Sequence, residues 1–163
     1  MPFVAFHELC PEVAMQETRT IIVPPGARLG VPEGTYQYIE MFCDEPGCDC
    51  RRVFFTVVSA DQQETEAVIS WGWEDLAFYT QWLGFGDEDM AKEMQGPILD
   101  LGSPHSRKAE VLLQLARKML LADPLYVERI KRHYALFRSK IDQGVKKPKK
   151  AKKGKQARKR RKR

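Results

Sequence analysis

Four stretches rich in β-branched and aromatic residues follow one another between residues 20 and 73, with polar links between them. They are TIIV, TYQYIEMF, RRVFFTVV and EAVISWGW, and each is bounded by turn-forming residues such as Pro24-Pro25-Gly26, Pro46-Gly47 and ADQQET. Such residues suit a pleated, half-buried surface. The reading places strands at Ile21–Val23, Thr35–Phe42, Arg51–Val58 and Glu66–Trp73. Connections this short join neighbours in opposite directions, so an antiparallel meander is expected.

After Trp73 the apolar period changes from two toward 3.6. Glu74-Asp75 opens a short helix through Trp82, ended by Gly84 and Gly86, and Asp87-Glu88-Asp89 opens another. Leu112, Leu115, Ala116 and Met119 stand at i, i+3, i+4 and i+7 within a helix expected over Arg107–Leu121. Asp123 and Pro124 supply an N-cap and a first helical residue for a last helix striped by Val127, Ile130, Tyr134, Phe137 and Ile141. The expected fold is α+β: an antiparallel sheet of about four strands with two main C-terminal helices packed on it. Phe3–Gln16 reads as weakly helical around Pro11, and QGPILDLGSPHS as loop.

Charge divides the chain. Residues 144–163 hold nine Lys, four Arg and no acid. The remainder has 14 basic and 22 acidic residues, a net −8. Within it, residues 1–106 carry −13 and residues 107–143 carry +5. The expected organisation is a zinc-stabilised α+β domain over 1–143 and a disordered Lys/Arg-rich tail over 144–163, because a self-repelling segment without apolar periodicity cannot order itself. A tail of this kind neutralises phosphates without reading sequence. The expected partner is therefore nucleic acid, RNA or DNA. The candidate contacts are Arg129, Lys131, Arg132, Arg138 and Lys140 on the last helix, followed by Lys146, Lys147, Lys149, Lys150, Lys152, Lys153, Lys155, Arg158, Lys159, Arg160, Arg161, Lys162 and Arg163. A solubilising or targeting extension is the plainer alternative, and a protein partner on the acidic sheet domain is a further one.

The link between the second and third strands reads FCDEPGCDCRRV and holds Cys43, Cys48 and Cys50. The start of the chain, MPFVAFHELCPE, has no basic n-region, and no apolar run approaches the ~20 residues of a membrane span. A soluble, cytoplasmic protein is expected, with no membrane partner and with reduced thiols. A hairpin brings its strand ends to about 5 Å, so three sulfurs converge. Zinc takes four tetrahedral ligands, with thiolate sulfur at about 2.3 Å. The candidates for the fourth are His7, Cys10, His105 and His133. His133 is favoured, since it lies at the margin of the last helix's apolar stripe. The plainer reading is a set of small core thiols. Three thiolates and one histidine leave no open position, so the zinc would be structural. Asp44, Glu45 and Asp49 crowd the turn and oppose a thiolate-rich centre, which Arg51 and Arg52 would offset.

No catalytic signature is present. GARLG lacks the Lys-Ser/Thr of a phosphate-binding loop, no His-Glu-x-x-His occurs, and GFGDEDM is short of a calcium loop. The protein is expected not to be an enzyme. Trp71, Trp73, Phe78, Tyr79 and Trp82 read as core residues.

The runs CDEPGCDCRRVFFTVV, ISWGWEDLAFYTQW, GPILDLGSP and YVERIKRHYALF together resemble a group of poorly characterised bacterial proteins, some of which carry a SEC-C-type zinc motif at the C-terminus. The resemblance covers roughly residues 3–141, and PGCDCRRV and RHY are its most specific parts. It implies that Cys43, Cys48, Cys50 and His133 act as a unit. The SEC-C element itself is missing here, and the basic tail stands in its place.

Overall fold

The computed structural model describes residues 3–145. Strands β1 (Phe3–Ala5), β2 (Arg19–Val23), β3 (Gly34–Cys43), β4 (Arg52–Ser59), β5 (Glu64–Gly72) and β6 (Ile98–Leu99) form one antiparallel sheet. Helices α1 (Phe6–Leu9) and α2 (Pro11–Glu17) lie between β1 and β2. Helices α3 (Leu76–Leu83) and α4 (Glu88–Gln95) follow β5, and α5 (Ala109–Leu115) and α6 (Pro124–Val145) follow β6. The α+β class and the antiparallel meander β3-β4-β5 are as expected. The expected count of about four strands is corrected to six among the described residues. The tail positions from 146 onward lie outside the described residues.

The two added strands are short and sit at sheet edges. At ten residues β3 is the longest strand, and both β1 and β2 pair along one edge of it. Phe3 to Ala5 oppose Cys43 to Met41, and Arg19 to Val23 oppose Tyr38 to Gly34. Three residues of FVA are too few to display a period, so only the partner strand defines them as a strand. At the far edge β6 meets Ile69 and Ser70 of β5. Covering a long edge with short segments limits further strand addition.

The alternation of β3 selects the buried face. Tyr36, Tyr38, Glu40 and Phe42 point inward, as do Val53, Phe55 and Val57 of β4 and Ala67 and Ile69 of β5. Opposite them lie Leu112, Leu113 and Leu115 of α5, then Ala116 and Leu120 in a π-helical continuation whose Leu121 N–H reaches Ala116 O. The stripe Tyr126, Ile130, Tyr134 and Phe137 of α6 completes the core. Burying each such large apolar side chain is worth about 1.5–3 kcal/mol.

Local signals at the helix starts act as read. Asp75 accepts from Phe78 N–H, Asp87 from Met90 N–H and Asp123 from Leu125 N–H. The α3–α4 pair folds over the sheet end through Tyr79, whose ring presses on Gly72 so closely that a Cβ there would stand 2.1 Å from Oη. Among the described residues no helix is long and apolar enough to cross a membrane.

Candidate metal centre

The loop that carries the cysteines is set by its own sequence. Glu45-Pro46-Gly47-Cys48 closes with Cys48 N–H to Glu45 O at 3.2 Å, and Gly47 has φ +73°. Pro at the second position and a positive-φ Gly at the third are the requirements of a type II turn. The turn folds Cys48 back toward Cys43, the last residue of β3, and Cys50, two residues before β4. The three ligand atoms lie within 4.8 Å of one another. Two sulfurs bound at about 2.3 Å to a tetrahedral zinc stand about 3.8 Å apart, so the spacing fits. Cys43 and Cys50 are buried and Cys48 is half-buried.

The backbone amide of Glu45 acts to lower the Cys43 thiol pKa, and that of Arg52 the Cys50 thiol pKa. Such donors favour a thiolate. Without a cation they do not prevail. Burial raises the Cys43 thiol, with Cys48 adding to the rise, and burial together with the neighbouring sulfurs pushes Cys50 up to about 12. A divalent cation held by the three sulfurs would supply the counter-charge that lets them ionise.

Helix α6 grips this loop from one face. Tyr134, Arg138 and Asp142 stand at i, i+4 and i+8. Arg138 is 8% exposed and donates to Cys43 O at 2.7 Å and Glu45 O at 2.8 Å, while pairing with Asp142 at 2.9 Å. Asp142 in turn accepts from Gly47 N–H at 3.2 Å. Tyr134 Oη lies 3.4 Å from both Cys48 O and Arg51 N. Sequence reading missed this clamp, although the four-residue spacing of Tyr134, Arg138 and Asp142 along α6 was the available signal.

Arg138 was expected at a nucleic-acid surface, and its burial against the cysteine loop corrects that. The other basic residues of α6 also have partners. Arg132 and Arg129 approach Glu17 at 2.7 and 3.9 Å, Lys131 meets Glu128 at 2.8 Å, and Lys140 donates to Leu9 O.

His133 is also placed elsewhere, which corrects its assignment as the fourth ligand. Its Nδ1 lies 2.7 Å from Glu40 Oε2 and its Nε2 2.6 Å from Glu17 Oε2. Glu40 sits three residues from Cys43 along β3, about 10 Å at the strand rise. Phe6 stacks on the imidazole at 4.4 Å, and Tyr126 Oη donates to Glu40 at 3.1 Å. Burial by itself pushes the imidazole pKa down, but the carboxylates of Glu40 and Glu17 outweigh it and the net shift is upward. Both nitrogens face acceptors, which suits an imidazolium. Glu40 was the overlooked cue: a carboxylate on an inward strand position requires a buried donor.

The remaining fourth-ligand candidates are not drawn in either. His105 contacts Asp100 O at 2.7 Å, His7 is exposed, and Cys10 is buried beside Lys140. Asp44 is different. It follows Cys43 directly, and its Oδ1 is the one buried side-chain polar atom without a hydrogen-bond partner among the described residues. Its carboxylate is not among the ligand atoms that lie within 4.8 Å of one another, so the donor set the structure brings together is the three thiols, which fits zinc but leaves one position to fill.

The arginines after the last cysteine act at different places. Arg51 pairs with Asp49 at 2.9 Å and Glu74 at 3.1 Å and lies 4.6 Å over the Phe78 ring; Asp49 above all, then Glu74, holds its pKa above the ordinary value. Tyr79 Oη donates to Arg51 O at 2.8 Å, fixing the residue in its positive-φ conformation. Arg52 turns to the opposite sheet face and donates to Met94 O. No protein-family model, no curated protein and no solved structure matches this chain.

Proposed function

We propose that the protein is a non-catalytic, zinc-binding accessory protein that binds nucleic acid through its basic C-terminal segment. The observation that carries the zinc reading is the convergence of Cys43, Cys48 and Cys50 within 4.8 Å on a turn gripped by α6. Zinc takes the three thiolates, and the Asp44 carboxylate, outside the 4.8 Å cluster but with a buried oxygen that has no other partner, swings in as the fourth ligand on binding. Four protein ligands leave no position for substrate, so the ion is structural and locks the β3–β4 connection.

The nucleic-acid reading rests on the thirteen Lys and Arg of residues 144–163. In the sequence this segment continues from α6, and the rest of the chain carries a net −8. Because Arg129, Arg132 and Lys131 have acidic partners, they add little, and most phosphate contacts fall to the tail. Binding is sequence-independent and driven by counterion release. If about six charges meet duplex phosphates, log affinity falls against log salt with a slope near −5. Removing residues 146–163 should reduce the slope to about −2 or less and leave the melting temperature of the body unchanged. Equal slopes for the two chains refute the tail as the binding element. The internal pairing of the helix charges favours one second reading, an adaptor whose acidic domain binds a basic protein. Under that reading the captured partner survives nuclease treatment.

A further inference from the structure

The sheet face turned away from α5 and α6 is only partly covered. Arg52, Phe54 and Thr56 of β4 project there, with Met41 of β3 and Val68 and Ser70 of β5 beside them. Helix α4 caps one end, and the loop Asp100–Ser103 walls one side. Between them lies a groove of about 620 Å³, with a smaller hollow of about 240 Å³ continuing past Arg52 toward Met90.

Arg52 lies at the junction of the two hollows. It is 9% exposed and donates Nε–H to Met94 O at 2.9 Å, which fixes the plane of the guanidinium. Its cationic carbon sits 5.1 Å over the Phe54 ring. Among the described residues no carboxylate pairs with it, and its two terminal amino groups have no acceptor. A buried guanidinium held in one plane with a free fork is a receptor for a planar anion. Phe54, its ring centroid 4.1 Å from that of Phe3 at a 40° tilt, and Val68 provide an apolar floor. Asp100 faces the same groove. Its Oδ2 accepts from Ser103 Oγ at 2.6 Å, while Oδ1 has no partner and can take a donor.

The geometry points to a binding site for a small monocarboxylate with an apolar body and an adjacent N–H, the chemistry of an apolar amino acid or of the last residue of a peptide. Arg52 receives the carboxylate through its terminal amino groups. Asp100 accepts the N–H, and the side chain lies on Phe54, Phe3 and Val68. A phosphate dianion fits less well, since a single guanidinium faces it and Asp100 repels it. The site is independent of the zinc reading, as it lies on the sheet face turned away from α5 and α6 and no cysteine lines it.

The test is a titration of the full-length, isotope-labelled chain followed by amide NMR shifts. N-acetyl-L-leucine should move the amides of Phe54, Val68 and Ser103 with a Kd of about 1 mM or tighter. Its carboxamide analogue should bind at least about tenfold more weakly, since a charged hydrogen-bond partner is lost. Free L-leucine distinguishes the two sources: binding tighter than the acetylated form assigns an amino acid, and weaker binding a peptide end. Arg52→Lys and Asp100→Asn should each weaken N-acetyl-L-leucine about tenfold while the remaining spectrum is kept. If Arg52→Lys fails to fold, Asp100→Asn and the carboxamide comparison on the unaltered chain decide. Absence of shifts at about 10 mM, equal binding of the carboxamide, or tighter binding of inorganic phosphate overturns the proposal.

Discussion

Replacing Arg138 with Ala removes two hydrogen bonds from a buried guanidinium, at 2.7 and 2.8 Å, to the carbonyls of Cys43 and Glu45. Each bond of this charged kind contributes about 1.5–3 kcal/mol, and a buried carbonyl left without a donor retains its desolvation cost. The pair with Asp142 adds little, because that carboxylate is 42% exposed and such pairs are worth at most about 1 kcal/mol. The terms overlap, so the expected loss is about 3–4 kcal/mol, a large share of the 5–15 kcal/mol typical of a domain. For a chain of this size that lowers Tm by roughly 10 °C. Guanidinium unfolding of the zinc-loaded protein, followed by far-UV circular dichroism, measures it. Arg138→Lys should restore only part of the loss, because an ammonium cannot span both carbonyls in the fork geometry. The salt slope of nucleic-acid binding should not change. A loss below about 1 kcal/mol, or weakened nucleic-acid binding at unchanged stability, refutes the clamp and returns Arg138 to the phosphate-binding set.

Three further outcomes follow from the same contacts. The folded pKa of His133 lies above its unfolded value of about 6.5, so the stability it adds is complete below that value and is lost as pH rises through the higher folded one. Unfolding midpoints taken from pH 6 to 9 should fall across this window, and the fall should be absent in His133→Gln. A Cβ at residue 72 meets the fully buried Tyr79 ring, so Gly72→Ala should destabilise by about 1–3 kcal/mol, whereas Tyr79→Phe with Gly72 kept should cost less. Asp44→Ala should weaken zinc retention against a chelator by about 10-fold or more and leave the three thiols in place, and unchanged retention rules the carboxylate out as a ligand.

The parts of the fold that rest on long periodic segments were legible in the sequence. Tyr36, Tyr38 and Phe42 alternate, and Ile130, Tyr134 and Phe137 recur on one helical stripe, so both elements declare their buried faces. The edge strands β1 and β6 were not legible, because three and two residues hold no period and exist through their pairing with β3 and β5. The three cysteines converge as their spacing around Pro46-Gly47 requires, since a type II turn is a local property. His133 was misplaced for the opposite reason. Its position on the α6 stripe was read correctly, but the choice between sulfur and carboxylate depends on where α6 crosses β3, and Glu40 and Glu17 lie 93 and 116 residues away in the chain. Arg138 shows the same gap: surface charge and a buried clamp look alike until the helix face is known.

Metal content of the full-length protein, purified without added metal and measured by plasma mass spectrometry, tests the central claim most directly. The account predicts one zinc per chain in the wild type. It predicts loss of that zinc in Cys43→Ser, Cys48→Ser and Cys50→Ser, because each removes one of three converging sulfurs. His133→Ala should keep its zinc while losing stability, since both of its ring nitrogens are held by carboxylates. A wild-type protein free of zinc, or stoichiometric zinc in all three serine variants, contradicts the account.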